Sequence, residues 1–294
     1  MRIAFLVRGF VTEGKISGGT ANYLHQTCLS LIKLGHQPVV FSATRKNSVV
    51  FQEGIETRRF QVKDWRLRLI FFITLHQFTR SLTCLYQSRK LNRETMKAHR
   101  KNPFDIIHCV NYMAAGLFRP KEIPTVVRIS HHLKLWQETN GKTCIHPDRK
   151  ITHWLEIRAA ARADGIFAPS RTIADIIRKE TGKPVAVIET PASAEISETD
   201  DRLYQNLLAG KDYLLFFGSL DRRKGVDVIA ETLPKLLEKH PRLFFVFIGQ
   251  DSGYQKRIMM SGYLRQKAGP HQKRVLCPGR VTREQLYPVL DNAL

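Results

Sequence analysis

The chain has 294 residues, 43% hydrophobic and 9% aromatic, which allows a sizeable core and suits two domains. Lys and Arg number 47 against 26 Asp and Glu, and the net charge of +21 favours an anionic partner: nucleic acid, an anionic membrane surface or a phosphorylated small molecule. Five scattered cysteines without a Cys-x-x-Cys pair argue against a zinc site or a disulfide framework, and no apolar run approaches the ~20 residues that span a bilayer. A cytoplasmic protein, soluble or peripheral at the inner face of a membrane, is expected.

Residues 3–7 read as a buried first strand, and the loop over 8–19 closes on Gly18 and Gly19. Thr20 is a candidate N-cap for a helix over 21–34, with Tyr23, Leu24, Cys28, Leu31 and Ile32 as its apolar stripe and Gly35 as its stop. A strand over 38–42 completes a βαβ unit. The glycines do not follow G-x-G-x-x-G, so the dinucleotide fingerprint is absent. Gly18 and Gly19 either let a phosphate or sugar approach backbone amides or simply permit a tight turn.

A third strand is expected over 57–62, followed by one long helical tract over 65–101, aromatic early and basic late. That tract reads as a core-packed helix with a solvated basic end, or as a membrane-surface helix whose cations face anionic head groups. Strands are expected over 105–110 and 125–130, entered through Pro103 and Pro124. His131 follows the second of these at once, at the carboxyl end of a parallel strand where α/β folds bind ligands, and is preferred to His132. Residues 133–150 read as a mobile loop able to cover an acceptor. A helix over 154–163, a short strand ending at an N-cap, Ser170, a helix over 173–179 and a strand over 185–188 follow.

The acidic, small-residue stretch 191–201 reads as a linker, dividing the chain into domains 1–195 and 196–294. The second domain opens on an apolar strand, 213–217, ending at Gly218. The basic loop Asp221-Arg222-Arg223-Lys224-Gly225 then leads into an amphipathic helix carrying Val226, Ile229, Leu233, Leu236 and Leu237, and strand 244–248 ends at Gly249. Cations delivered by a strand to a helix N-terminus sit where an α/β sheet binds phosphate; otherwise this is a solvated basic loop. A polar loop at 250–253, a basic helix over 254–267, a strand over 274–277 and a helix over 283–294 capped by Thr282 complete the chain.

Four stretches in this order resemble the family-4 (group 1) glycosyltransferases of the GT-B fold: SGGTANYLHQTCLSLIKLGHQPVVF, RADGIFAPS, GSLDRRKGVDVI and VLCPGRVTREQL. The resemblance runs over nearly the whole chain. It implies two Rossmann-like α/β domains, the first binding a saccharide or lipid-linked acceptor and the second a nucleoside-diphosphate sugar. It also implies retaining transfer without a metal or other cofactor. Position by position, it places the donor diphosphate on Lys224 with Arg223 or Arg222, beside Gly218 and Gly225. Gly18 and Gly19 would approach the same diphosphate, His131 would lie by the reacting sugar, and Gln250, Asp251 and Val281 would border the nucleoside.

Two departures stand out. Ser219 occupies the position after the strand-ending glycine where many members have Arg, so Arg223, next to Lys224, is the first choice for the second cation. The family's paired-glutamate motif, E-x7-E, does not occur before Leu294, and only three strong strands are expected in the second domain, so an incomplete donor domain is expected. An inert glycan- or membrane-associated remnant acting as a binding protein is the alternative. Nucleic-acid binding ranks last, because no reading module appears.

Overall fold

The computed structural model describes residues 1–10, 19–44, 46–62, 65–139, 146–191, 198–251, 253–255 and 258–294. The chain divides into two compact units, 1–193 and 194–294, each described by itself below.

The first unit is built on an eight-stranded sheet. In chain order its elements are β1 (Arg2–Val7), α1 (Gly19–Lys33), β2 (Gln37–Thr44), β3 (Ser48–Gln52), β4 (Ile55–Gln61), α2 (Trp65–Ile73), α3 (Thr79–Lys101) and β5 (Ile106–Val110). There follow β6 (Thr125–Arg128), α4 (Leu133–Thr139), α5 (Pro147–Ala161), β7 (Gly165–Ala168), α6 (Arg171–Thr181) and β8 (Ala186–Val187). The strand order is β3-β4-β2-β1-β5-β6-β7-β8, parallel throughout except for the edge strand β3. Alternate side chains of the central strands enter opposite layers, as the pleat requires. Ala4, Leu6, Val39, Phe41, Ile107 and Cys109 join one core cluster, while Ile3, Phe5, Val7, Val40 and Val110 pack with Tyr23, Leu24 and Cys28 of α1 in another.

Four expectations need correction here. The single helix expected over 65–101 is two, because Leu75 (φ 47°) and His76 (φ 59°) turn left-handed and their amides close α2 onto Phe72 and Phe71. The strand expected at 57–62 begins at Ile55 and is preceded by β3, a hairpin partner turned by Glu53 and Gly54 that the polar sequence around it concealed. Most of the stretch expected as a mobile loop, 133–150, is helix: α4 and α5 occupy it, and 140–145 lie outside the described residues. α5 starts where His146 Nδ1 accepts the Asp148 amide, and the Asp148 carboxylate accepts the Arg80 and Ser81 amides at 2.9 and 2.8 Å, joining the starts of α5 and α3. Finally, α1 begins at Gly19, so Thr20 stands inside its first turn rather than at its cap. The expected cap Ser170 does start α6, its hydroxyl accepting the Ile173 amide.

The second unit contains α7 (Arg202–Leu207), β9 (Tyr213–Phe217), α8 (Val226–Lys239), β10 (Phe244–Ile248), β11 (Gly253–Gln255), β12 (Ile258–Met259), α9 (Met260–Ala268), β13 (Val275–Gly279) and α10 (Arg283–Asp291). Its main sheet is β13-β10-β9, all parallel. Phe245 and Phe247 face Val226, Ala230, Leu233 and Leu237 of α8 and Met260 and Leu264 of α9, whereas Tyr213, Val246 and Ile248 pack with Leu208 and Val289. The helix expected over 254–267 is a short β11–β12 hairpin followed by α9. Thr282 caps α10 in a reciprocal capping box with Gln285.

Candidate active site

In the first unit, the carboxyl ends of β1, β5 and β6 lie side by side, since each pairs with the next in parallel register. A cavity of about 440 Å³ opens there, lined by Arg8, Phe10, Gly19, Thr20, Tyr112, Ser130 and His131 among others. Asn111, just past β5, shapes its floor: its Oδ1 accepts the Ser130 and His131 amides at 2.9 and 3.2 Å, and its Nδ2 donates to the His131 carbonyl. The His131 ring stands edge-on to Tyr112, 5.3 Å between centroids, with Trp136 at 6.2 Å. A Cβ on Gly19 would meet nothing within 4 Å, so that position is open to a ligand; Gly18 lies outside the described residues.

Arg128 explains how the cavity is charged from beneath. It is 5% exposed, its guanidinium lies 3.7 Å over the Tyr23 ring, and its Nη atoms donate to Ser130 Oγ at 2.6 Å and Thr190 Oγ1 at 2.7 Å. Burial lowers its pKa, and burial beside it pushes the His108 imidazole down to about 3, so His108 is neutral at any physiological pH. Sequence reasoning passed over Arg8, Asn111, Tyr112 and Arg128. Their signal was weak: polar residues at or just beyond the ends of strands β1, β5 and β6.

His132, set aside in favour of its neighbour, is buried and structural. Its Nδ1 accepts the Leu135 amide at the start of α4, which leaves the proton on Nε2 to face Glu180 at 3.1 Å. His153 approaches the same carboxylate at 3.5 Å, so one glutamate of α6 ties α4 to α5. Ligand atoms of the three lie within 4.8 Å of one another, but the capping bond keeps the Nε2 lone pair of His132 from a cation.

In the second unit, β9, β10 and β13 each run into a glycine of positive φ: Gly218 (137°), Gly249 (148°) and Gly279 (88°). The Gly218 amide donates to Ile248 O at 2.8 Å and the Gly249 amide to Gly279 O at 2.9 Å, so the three form a flat shelf without side chains. Beside it, Asp221 caps a short 3-10 turn, Arg222–Lys224, and Gly225 (φ 72°) passes the chain to the N-terminus of α8. Asp221 also holds Arg223, at 2.6 and 3.2 Å to Nη2 and Nε, while Asp227 holds Arg222 at 3.0 Å. Lys224 is exposed and forms no ion pair among the described residues. Leu220 bridges to Asp251 and its amide donates to Gln250 O, bringing the 250–251 loop alongside the basic turn. The Asp251 carboxylate meanwhile accepts the Ser261 amide at the start of α9 at 3.3 Å. Val281 is partly buried against the cluster around Tyr213 and Val289.

Residues 17–195 match the model of Glycosyltransferase Family 4. The chain belongs to that family. This family-4 chain is 24% identical over 159 residues to Spore coat protein SA of Bacillus subtilis (strain 168), covering 51% of this chain and 41% of that protein. It therefore spans about two fifths of the length of that curated relative. Among solved structures it is similar to the sucrose-phosphate synthase (tll1590) of Thermosynechococcus elongatus, with TM-score 0.66 and 17% identity over 99% of this chain and 73% of that one. Anabaena Alr3699/HepE, solved in complex with UDP and glucose, gives TM-score 0.63 and 15% identity over 97% and 71%. WaaG, a glycosyltransferase involved in lipopolysaccharide biosynthesis, gives 0.61 and 11% over 99% and 73%. At such identities these likenesses establish the fold, the α/β architecture of the GT-B glycosyltransferases.

Proposed function

We propose that the chain takes part in transfer of a sugar from a nucleoside-diphosphate sugar to a saccharide or lipid-linked acceptor, with retention and without a metal. The observation that carries the reading is the second unit's glycine shelf beside Lys224, the cation of the basic turn left unpaired by the carboxylates that hold Arg222 and Arg223. As the glycosidic bond breaks, negative charge grows on the leaving phosphate. The Lys224 ammonium and the N-terminus of α8 meet that charge as it develops, which lowers the barrier electrostatically. Side-chain-free backbone at Gly218, Gly249 and Gly279 lets the diphosphate come close, and Gln250, Asp251 and Val281 border the nucleoside. The cavity at His131 takes the acceptor, with Gly19 among its lining residues. HepE was solved with UDP, which makes UDP the first nucleotide to test here.

Calorimetric titration tests the reading. UDP is expected to bind saturably, and Lys224→Ala to weaken it about tenfold to hundredfold, the loss of one hydrogen bond to a charged group. If neither UDP nor another nucleoside diphosphate binds, and Lys224→Ala changes nothing, the donor site has been misassigned.

The exposed side of α2 and the turn after it support a second partner. Leu69, Ile70, Phe72, Ile73 and Leu75 are 50%, 40%, 74%, 68% and 76% exposed on a chain of net charge +21. Such an apolar patch suits the interface of an anionic membrane. No helix among the described residues is long and apolar enough to cross one.

A further inference from the structure

The cavity of the first unit carries more positive charge than a neutral sugar needs. Arg8 lines it, its Nη1 donating to Tyr112 Oη at 3.2 Å and its guanidinium carbon 5.7 Å from the ring centroid. Arg80, on α3, brings a second guanidinium to 5.6 Å of the same ring. Its Nε is buried with no hydrogen-bond partner. Neither arginine forms an ion pair among the described residues. Two carboxylates lie near Arg80 without an ion pair to it among the described residues: Asp148 accepts the Arg80 and Ser81 amides, and Glu156 accepts the Met113 amide at 2.9 Å and has its pKa raised by burial. Arg128 adds a buried cation beneath Ser130, and no Asp or Glu lines the cavity among the described residues.

Two guanidiniums that form no ion pair among the described residues, 5.7 and 5.6 Å from the ring of one tyrosine at the cavity wall, match a dianionic group with several acceptor oxygens. Because the Tyr112 hydroxyl accepts from Arg8, its own proton is left to donate to a ligand oxygen. We propose that this cavity holds the acceptor by a phosphate ester, gripped by Arg8 and Tyr112 at its wall with Arg80 adding positive charge beside the Tyr112 ring, so that the acceptor is a phosphorylated or phospholipid-linked saccharide. This rests on the reading that the first unit binds the acceptor. The donor diphosphate is the other source of such a group, but the second unit has its own unpaired cation for it, Lys224.

The experiment is a calorimetric titration of the full chain with inorganic phosphate and, separately, with UDP, repeated for Arg8→Gln, Arg80→Lys and Lys224→Ala. Arg8 is exposed, so its replacement leaves folding intact, and a thermal melt checks Arg80→Lys. Phosphate is expected to bind saturably, about tenfold or more weakly in Arg8→Gln, and with unchanged affinity in Lys224→Ala. UDP affinity is expected to be unaffected by Arg8→Gln. The proposal is overturned if phosphate does not bind, if its affinity survives both arginine substitutions, or if Lys224→Ala alone abolishes it. It is equally overturned if Arg8→Gln weakens UDP in parallel, since the arginines would then serve the donor. Failure of UDP to bind while phosphate still depends on Arg8 would remove the donor reading and leave this one standing.

Discussion

Gly249→Ala is the sharpest perturbation the structure offers. A Cβ built there would stand 1.8 Å from Gly218 O and 2.6 Å from Gly218 C, where real Cβ atoms essentially never come within 3.0 Å of backbone. The obstacle is the neighbouring strand itself, so no rotamer change relieves it. A φ of 148° adds backbone strain of ~1–3 kcal/mol for any residue with a side chain. Forcing β9 and β10 apart at their carboxyl ends adds overpacking of ~1–3 kcal/mol and breaks the 2.8 Å bond from Gly218 N to Ile248 O. Together these destabilise the second unit by about 3 kcal/mol or more, which speeds exchange from its opened state about a hundredfold. Hydrogen exchange of peptides spanning β9 and β10 reads this directly. The three tryptophans, Trp65, Trp136 and Trp154, all lie in the first unit, so their thermal transition serves as an internal control that stays in place. Unchanged exchange in β9 and β10 would refute the shelf geometry, and with it the argument that bare backbone is held there for a ligand.

Other expectations follow from single groups. Burial pushes the Glu156 carboxyl up from 4.5 to about 7, against the opposing pull of the Met113 amide and Arg80. The folded state therefore holds a proton that the unfolded chain releases, and stability falls as pH rises from about 4.5 to about 7, by roughly 3 kcal/mol over the window. Glu156→Gln should flatten that slope in denaturant titrations across this range; a slope that persists assigns the titration to another group. Vesicle co-sedimentation should show more binding to anionic than to neutral lipid, reduced by Phe72→Ser, whose ring is 74% exposed; equal, negligible binding to both would dismiss the membrane face.

The strands were readable because parallel, doubly covered strands are continuous apolar runs: 3–7, 213–217 and 244–248 announce themselves without reference to anything distant. Local capping chemistry was equally visible at Ser170 and Thr282, where the donor and acceptor are three residues apart. The basic turn could be placed on sequence alone for the same reason. The ion pairing within it could not: three neighbouring cations look alike until Asp221 and Asp227 claim two of them and leave Lys224. The break between α2 and α3 escaped notice because Leu75 and His76, not glycines, adopt the left-handed turn.

Gly249 is legible in the sequence as the stop of an apolar run, a property of the residues on either side of it. Why nothing else can stand there depends on Gly218, 31 positions earlier, being delivered by a parallel crossover to within bonding distance. The same holds for Arg8, Arg80 and Tyr112, which meet around one aromatic ring only because β1, α3 and β5 are brought together by folding. Periodicity, caps and turns are short-range chemistry and are written along the chain. Which cation lacks a counter-charge, and which glycine lacks room, are sums over neighbours that the chain meets only once it is folded.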